Sequence, residues 1–259
     1  MLHAVRVFTA RLRLVGVVLI GAMLSTGFAD AMAASALPLA HASPTVEAPF
    51  ASTPSTADRS AFDETAWSEV STAGLNPAVL KLALSAARCA ASTGAVSEPA
   101  TLSVIDYSRP SSEPRLWVFD LATRTLVYHE LVSHGQGSGG NLPTRFSNDP
   151  DSHQTSLGLF VTDAPYLGRN GYSLRLDGLD KGFNDRARER AIVMHGAPYV
   201  NPDITRTLGR LGRSHGCPAV REAVARELID RVKGGSLLFA YYPDEAWLNS
   251  SKYLMSCGS

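Results

Sequence analysis

From Leu102 onward the chain breaks into short apolar segments punctuated by turn residues, and this limits the fold more than any other feature. The segments TLSVIDYS, RLWVFDL and TLVYHELVS carry β-branched and aromatic residues and are separated by turns rich in Pro, Ser and Asp. Leu116–Leu121 and Leu126–Leu131, joined through Ala122-Thr123-Arg124, read as a hairpin. A Gly-rich stretch from His134 to Gly140 follows, then strand candidates at Ser156–Thr162, Ser173–Leu176, Ile192–His195 and Ser236–Tyr242. Two short helices are predicted around Asp185–Arg190 and Arg221–Lys233. Many short strands with few helices predict a mainly β (α+β) domain over residues 95–245, a β sandwich or barrel with a few flanking helices. The tail, residues 246–259, has no clear pattern.

Ahead of the strands, residues 61–94 change character. Leu75, Val79, Leu82 and Ala86 recur at three- and four-residue steps, with Asn76 as a cap and Pro77 at the first helical position. This predicts one amphipathic helix, ending near Gly94, that covers one side of the core. Residues 34–60 are rich in Ala, Ser, Thr and Pro without apolar period, the composition of a flexible tether. At the start, His3, Arg6, Arg11 and Arg13 precede an apolar run from Leu14 to Leu24, and Ala31-Met32-Ala33 fits a small-x-small cleavage site. The run is about half the roughly 20 residues that a membrane-spanning helix needs. Residues 1–33 are therefore read as a cleaved signal peptide, which predicts export and no stable membrane insertion afterwards. Lys plus Arg and Asp plus Glu number 24 each. A balanced chain gives no electrostatic reason to expect a nucleic-acid partner, because phosphate binding needs a concentrated basic surface.

Export places the three cysteines in an oxidising compartment. An odd count leaves at least one free thiol or an intermolecular pair. Cys89 and Cys257 either pair or are both free, while Cys217 stays reduced. The chemistry concentrates at Gly212-Arg213-Ser214-His215-Gly216-Cys217-Pro218, with Met194-His195-Gly196 at the end of an apolar strand 22 positions upstream of the Cys. A thiol attacks a carbonyl as thiolate, and a nearby imidazole can take its proton. Glycine beside the nucleophile permits a sharp turn and exposes an N–H where an oxyanion forms. Pro218 and the apolar segment from Arg221 predict that Cys217 sits at a loop-to-helix junction, where a helix N-terminus would favour the thiolate. Taken alone, a Cys beside Gly and a His at a strand end are more often structural.

His195-Gly196 followed by Ser214-His215-Gly216-Cys217 resembles the catalytic pattern of the L,D-transpeptidase (YkuD-like) family. Thr155-Ser156-Leu157-Gly158-Leu159-Phe160 is similar to the family strand that lines the substrate channel. The ordered series Val132–Gly135, Phe146–Asn148, Thr155–Gly158, Ser173–Leu179, Ala191–Ala197 and Gly209–Val220 resembles a murein L,D-transpeptidase branch, over roughly residues 75–242. The resemblance implies a peptidoglycan-remodelling cysteine enzyme without cofactor or metal, exported to the periplasm and acting on stem peptides. It cleaves before the terminal D-residue of a tetrapeptide stem, forms an acyl-enzyme on Cys217, and passes the acyl group to an amine of another stem. His195 would be base and then acid, and the Gly196 carbonyl would orient it. The N–H groups of Gly216 and Cys217 would hold the oxyanion, and Ser214 and His215 would shape the loop. Arg213, Tyr199 and Arg221 are the candidate substrate-binding residues. Ala219 stands where common family members carry an Arg two positions after the Cys, and Arg221 is the candidate to replace it.

Other readings remain open. Water resolving the same acyl-enzyme would make a carboxypeptidase or endopeptidase, and a Lys amine would attach a protein to the wall. His134, His195, His215 and Cys217 are zinc-ligand types but lack the close pairing of zinc motifs. A wall-binding module with a silent site is the non-enzymatic alternative. His134 either lines the site or belongs to a turn. Tyr166 and Tyr172 either border a groove or pack. Arg169, Arg175, Arg188, Arg190, Arg206, Arg210 and Arg213 stand among Asp177, Asp180, Asp185 and Glu189, which predicts a solvated, self-paired face.

Overall fold

A computed structural model describes residues 61–257. The proposed signal peptide and tether therefore lie outside the described residues. The elements run as a 3-10 turn (Glu64–Trp67), α1 (Pro77–Ser92), β1 (Thr101–Asp106), β2 (Leu116–Asp120), β3 (Thr125–Glu130), β4 (Gly158–Gly168), β5 (Gly171–Gly178) and β6 (Val193–Ala197). They continue with α2 (Pro202–Leu208), β7 (Ala219–Arg221), α3 (Glu222–Val232), β8 (Leu237–Tyr241), α4 (Glu245–Leu248) and α5 (Lys252–Met255).

The strands form one eight-stranded sheet in the order β3-β2-β1-β8-β4-β5-β6-β7. β1 pairs parallel with β8 and β6 parallel with β7, while the remaining pairs are antiparallel. The two outer strands approach each other. Val132, just after β3, bridges to Val220 in β7, and the Ser133 N–H donates to the Ala219 carbonyl at 2.8 Å. The mainly β fold with a few flanking helices is thus a nearly closed barrel. β1 is buried along its whole length, Thr101, Ser103 and Asp106 included, and α1 and α3 both pack against it.

Asn76 accepts from the Ala78 N–H at the start of α1, with Pro77 in the first turn, as the cap pattern predicts. The helix buries Val79, Leu80, Ala83, Leu84, Ala86, Ala87, Cys89 and Ala90. Cys89 is bonded to Cys257 with their Cα atoms 5.4 Å apart, which resolves the open pairing and leaves Cys217 as the free thiol. The unpatterned tail forms α4 and α5. Trp247 is fully buried there, and the Ser251 hydroxyl donates to the buried Asp180 carboxylate.

Three sequence expectations change. Asp185–Arg190 is not a helix but a chain of turns. Its bonds mix spans, with Ala187 N to Asn184 O, Arg190 N to Arg186 O and Ile192 N to Ala187 O, and Asn184 is drawn inward to donate to the Leu159 carbonyl. β4 runs past Thr162 to Gly168, with a register shift between Thr162 and Pro165 that accommodates the proline. The segment at Arg221 begins as a strand. Ala219–Arg221 pairs with His195–Ala197, so α3 starts only at Glu222. Cys217 is consequently not at a helix N-terminus, and the thiolate stabilisation expected from one is absent.

Candidate active site

β6 ends in Met194-His195-Gly196-Ala197, and its parallel pairing sets His195 opposite Ala219 and Gly196 opposite Val220. Cys217, two residues before Ala219, thereby reaches the start of the same strand. Its sulfur accepts from the Val193 N–H at 3.5 Å and faces the Ala191 carbonyl at 3.7 Å. His195 is 4% exposed and Cys217 8%, so thiol and imidazole are both largely withdrawn from water on neighbouring segments.

The His195 tautomer follows from its partner. Nδ1 lies 2.9 Å from the Gly196 carbonyl oxygen, which can only accept, so Nδ1 carries the proton and Nε2 keeps its lone pair. Burial holds the imidazole below its ordinary value, opposed by the Gly196 hydrogen bond. Burial pushes the Cys217 thiol up, while the Val193 N–H and the Arg190 charge pull it back. Both groups are therefore neutral at rest, a thiol and an imidazole with a free Nε2 lone pair. Gly196 also has a packing role. A Cβ there would lie 2.8 Å from the Ala225 Cβ of α3, so only glycine lets the helix close on this strand end.

The Cys loop is fixed from several sides. Ser214 donates through its backbone N–H to the His134 carbonyl at 3.0 Å, and its carbonyl accepts from Gln136 N at 2.8 Å. The Ser214 hydroxyl donates to the Cys217 carbonyl at 2.7 Å and accepts from Gly216 N at 3.1 Å. The Gly216 amide expected at the oxyanion is thus occupied in this state, while the Cys217 amide lies against its own sulfur. Gly216 has φ of +122°, and a Cβ on it would meet the Gln154 carbonyl at 2.8 Å, so no other residue fits there without strain. Thr155 Oγ1 accepts from Gly135 N at 2.9 Å and lies 3.4 Å from the Gly216 carbonyl, joining the Thr155–Phe160 segment to the loop.

The other candidates separate. The backbone of Tyr199 accepts from Gly212 N at 3.0 Å, and burial, with Cys217 nearby, pushes its phenol up to about 12. His215 is exposed on the loop and stacks on His153 with ring centroids 4.2 Å apart. Arg213 donates to the Gly139 carbonyl at 2.6 Å, bracing the Gly-rich stretch. Arg221 pairs with Glu130 through two contacts of 2.6 and 2.8 Å, so its charge is already answered by a carboxylate. His134 is fully buried. Its Nδ1 accepts from Arg115 at 2.7 Å, and burial, with the Arg115 charge, pushes it down to about 3. It is a neutral support behind the loop. Tyr172 donates to Asp230 at 2.7 Å, and Tyr166 stacks under Arg175. Among the described residues, no three His, Cys, Asp or Glu side chains converge as a metal site.

Sequence reasoning passed over Arg190 and Arg115. In the sequence Arg190 reads as part of a self-paired surface, and Arg115 stands alone among strand residues. No spacing signal marks either one. Two grooves border β6. One, about 190 Å³, is lined by Tyr166, Arg175, Arg188 and Ala191–Val193. The other, about 290 Å³, is lined by Ala197, Pro198, Val200, Asn201, Arg221 and Glu222.

Fold and site together define a nearly closed β barrel with a neutral thiol and an imidazole at the meeting of its outer strands. The L,D-transpeptidase catalytic domain family matches residues 71–241, and the chain belongs to that family. A search of curated proteins finds no match. Among solved structures, an L,D-transpeptidase from Mycobacterium smegmatis is 16% identical, with 55% of this chain and 59% of that one covered and a TM-score of 0.35. One from Mycobacterium tuberculosis is 16% identical, covering 56% and 58%, with a TM-score of 0.33. One from Stackebrandtia nassauensis is 13% identical, covering 64% and 68%, with a TM-score of 0.34. The chain spans less than two thirds of the length of the first two, and the assignment rests on the family match. Among the described residues no helix is long and apolar enough to cross a membrane.

Proposed function

We propose that this chain is an exported L,D-transpeptidase that remodels peptidoglycan through an acyl-enzyme on Cys217. The observation that carries the reading is that a domain of this family holds a free thiol at Cys217 and, on the neighbouring strand opposite Ala219, an imidazole whose Nε2 lone pair is left free because Nδ1 donates to the Gly196 carbonyl. His195 Nε2 takes the Cys217 proton, and the thiolate attacks the carbonyl preceding the terminal D-residue of a tetrapeptide stem. Rotation of the Ser214 hydroxyl releases the Gly216 N–H, which with the Cys217 N–H holds the oxyanion. The C–N bond breaks, His195 returns the proton to the departing amine, and a thioester remains. An amine of a second stem attacks the thioester, loses its proton to His195 and displaces the thiolate, forming the crosslink. Arg213 and His215 shape the loop, and Tyr199 borders the acyl chain. Export to the periplasm is supported by the Cys89–Cys257 disulfide, a bond suited to oxidising compartments.

The test is intact mass of the mature protein and of Cys217→Ala after incubation with a tetrapeptide-stem muropeptide. The expected result is an acyl adduct lacking the terminal D-residue on the wild type only, with dimeric products. An adduct yielding only tripeptide stems would make the enzyme a carboxypeptidase. No adduct would overturn the acyl-enzyme reading and favour a wall-binding module.

A further inference from the structure

Within the arginine-rich stretch 169–213 three arginines pair with acids, as on a solvated face. Arg188 meets Asp163 and Asp177, Arg186 meets Glu189, and Arg206 meets Asp203. Arg190 is held differently, by four neutral acceptors. Its Nη1 donates to the Ser147 carbonyl at 2.6 Å and the Ser156 hydroxyl at 2.5 Å. Its Nη2 donates to the Ser152 hydroxyl at 3.1 Å and the Gln154 carbonyl at 2.7 Å. All four acceptors are neutral, and among the described residues no carboxylate lies within ion-pair distance of it. The guanidinium is half buried, so its charge is poorly answered by water. Such a charge, fixed by four bonds, is prepared to stabilise an anion that forms nearby.

The anion that forms nearby is the Cys217 thiolate. Arg190 immediately precedes Ala191, whose carbonyl faces the sulfur at 3.7 Å. Its Nη2 would lie 3.4 Å from a Cβ placed on Gly216, the residue before the nucleophile. Among the described residues no helix begins at Cys217, since the next one starts at Glu222; Ala219 is uncharged and Arg221 is paired with Glu130. We propose that Arg190 is the positioning residue that supplies the fixed positive charge for the Cys217 thiolate, in place of a helix end or a neighbouring charged residue on the Cys strand. This rests on the reading of Cys217 as the nucleophile.

The groups facing the pair are few. Tyr107 and Tyr199 both lie close enough to Cys217 to interact with it. Both phenols are pushed up by burial and stay neutral at working pH. His195 approaches on the neighbouring strand, and His215 stands exposed two residues before the thiol. Asp149 and Arg186 act on Arg190 from the outside with opposite signs. Burial raises the thiol and Arg190 lowers it, so the guanidinium limits the cost of forming a thiolate in a dry site.

The experiment is the pH dependence of Cys217 alkylation by iodoacetamide in the intact, disulfide-bonded protein, a reaction that needs no peptidoglycan. Two variants remove the charge in different ways. Arg190→Gln deletes it and keeps part of the hydrogen bonding. Ser152→Asp leaves the arginine and places a carboxylate against it from a surface loop, which preserves the fold if Arg190→Gln does not. Both are expected to move the alkylation midpoint up by about one unit, a roughly tenfold slower reaction at neutral pH. Arg190→Lys is expected to restore most of the rate. An unmoved midpoint in the folded variants, with only a lower melting temperature, would overturn the proposal and leave Arg190 a brace for residues 147–156. A normal midpoint shift in a protein that forms no adduct with the tetrapeptide stem would instead remove the peptidoglycan reading and keep this one.

Discussion

A methyl group added at Gly196 would lie 2.8 Å from the Ala225 Cβ and 3.3 Å from the Glu222 Cα, so Gly196→Ala must push α3 away from β6. Overpacking of this kind costs roughly 1–3 kcal/mol. The same glycine's carbonyl holds His195 Nδ1, so displacement also tilts the base, and acylation should slow by on the order of tenfold or more. Urea unfolding and the rate of adduct formation check the two effects separately. Unchanged stability would mean that helix and strand are not in contact. His134 makes a different prediction. It is neutral in the fold because burial and Arg115 push it down to about 3, whereas an unfolded His titrates near 6.5. Between those values the unfolded chain binds more protons, so stability is full above about pH 6.5 and falls as pH drops, by roughly 1.4 kcal/mol per unit for this one group. His195, also held below its ordinary value, acts in the same direction. Unfolding free energies at pH 7 and pH 5 should converge in His134→Asn, whose amide oxygen can still accept from Arg115. An undiminished acid loss would place its origin elsewhere.

At the scale of elements, the Cys89–Cys257 bond joins α1 to the chain end across 168 positions. Closing so long a loop restricts the unfolded chain, and removing the bond should cost about 2–5 kcal/mol. Cys89→Ala/Cys257→Ala should melt lower while its Cys217 still alkylates normally. A native, unreduced protein that labels at three thiols would refute the bridge. Elements with local signals were legible in advance. α1 was marked by Asn76, Pro77 and its apolar period, and β1, β2 and β3 by β-branched and aromatic runs. Elements defined by partners were not. β7 has three residues and is a strand because β6 on one side and Val132 and Ser133 on the other pair with it. β4 continues past a proline because a register shift absorbs it. Asp185–Arg190 has helical composition, but Asn184 is held by Leu159 and Asp180, and the turns follow that anchor.

For the whole molecule, the same division holds at the site. Cys217, His195 and the glycines beside them could be read from the sequence because their chemistry depends on short motifs. Arg190, 27 positions before the thiol, could not be, because what distinguishes it is the set of four neutral acceptors that the fold gathers around it from Ser147, Ser152, Gln154 and Ser156. Arg115 is hidden in the same way: it is fully buried in the fold, and its guanidinium is spent on Val132, Arg109 and His134. The barrel closure has one more consequence. The Ser133 N–H occupies the Ala219 carbonyl and Val132 bridges Val220, so the outer side of β7 offers no open rail on which an incoming peptide could be added as a further strand. On the proposed function, a stem peptide delivered to Cys217 along this side would be gripped by side chains and loop amides and not woven into the sheet as a further strand.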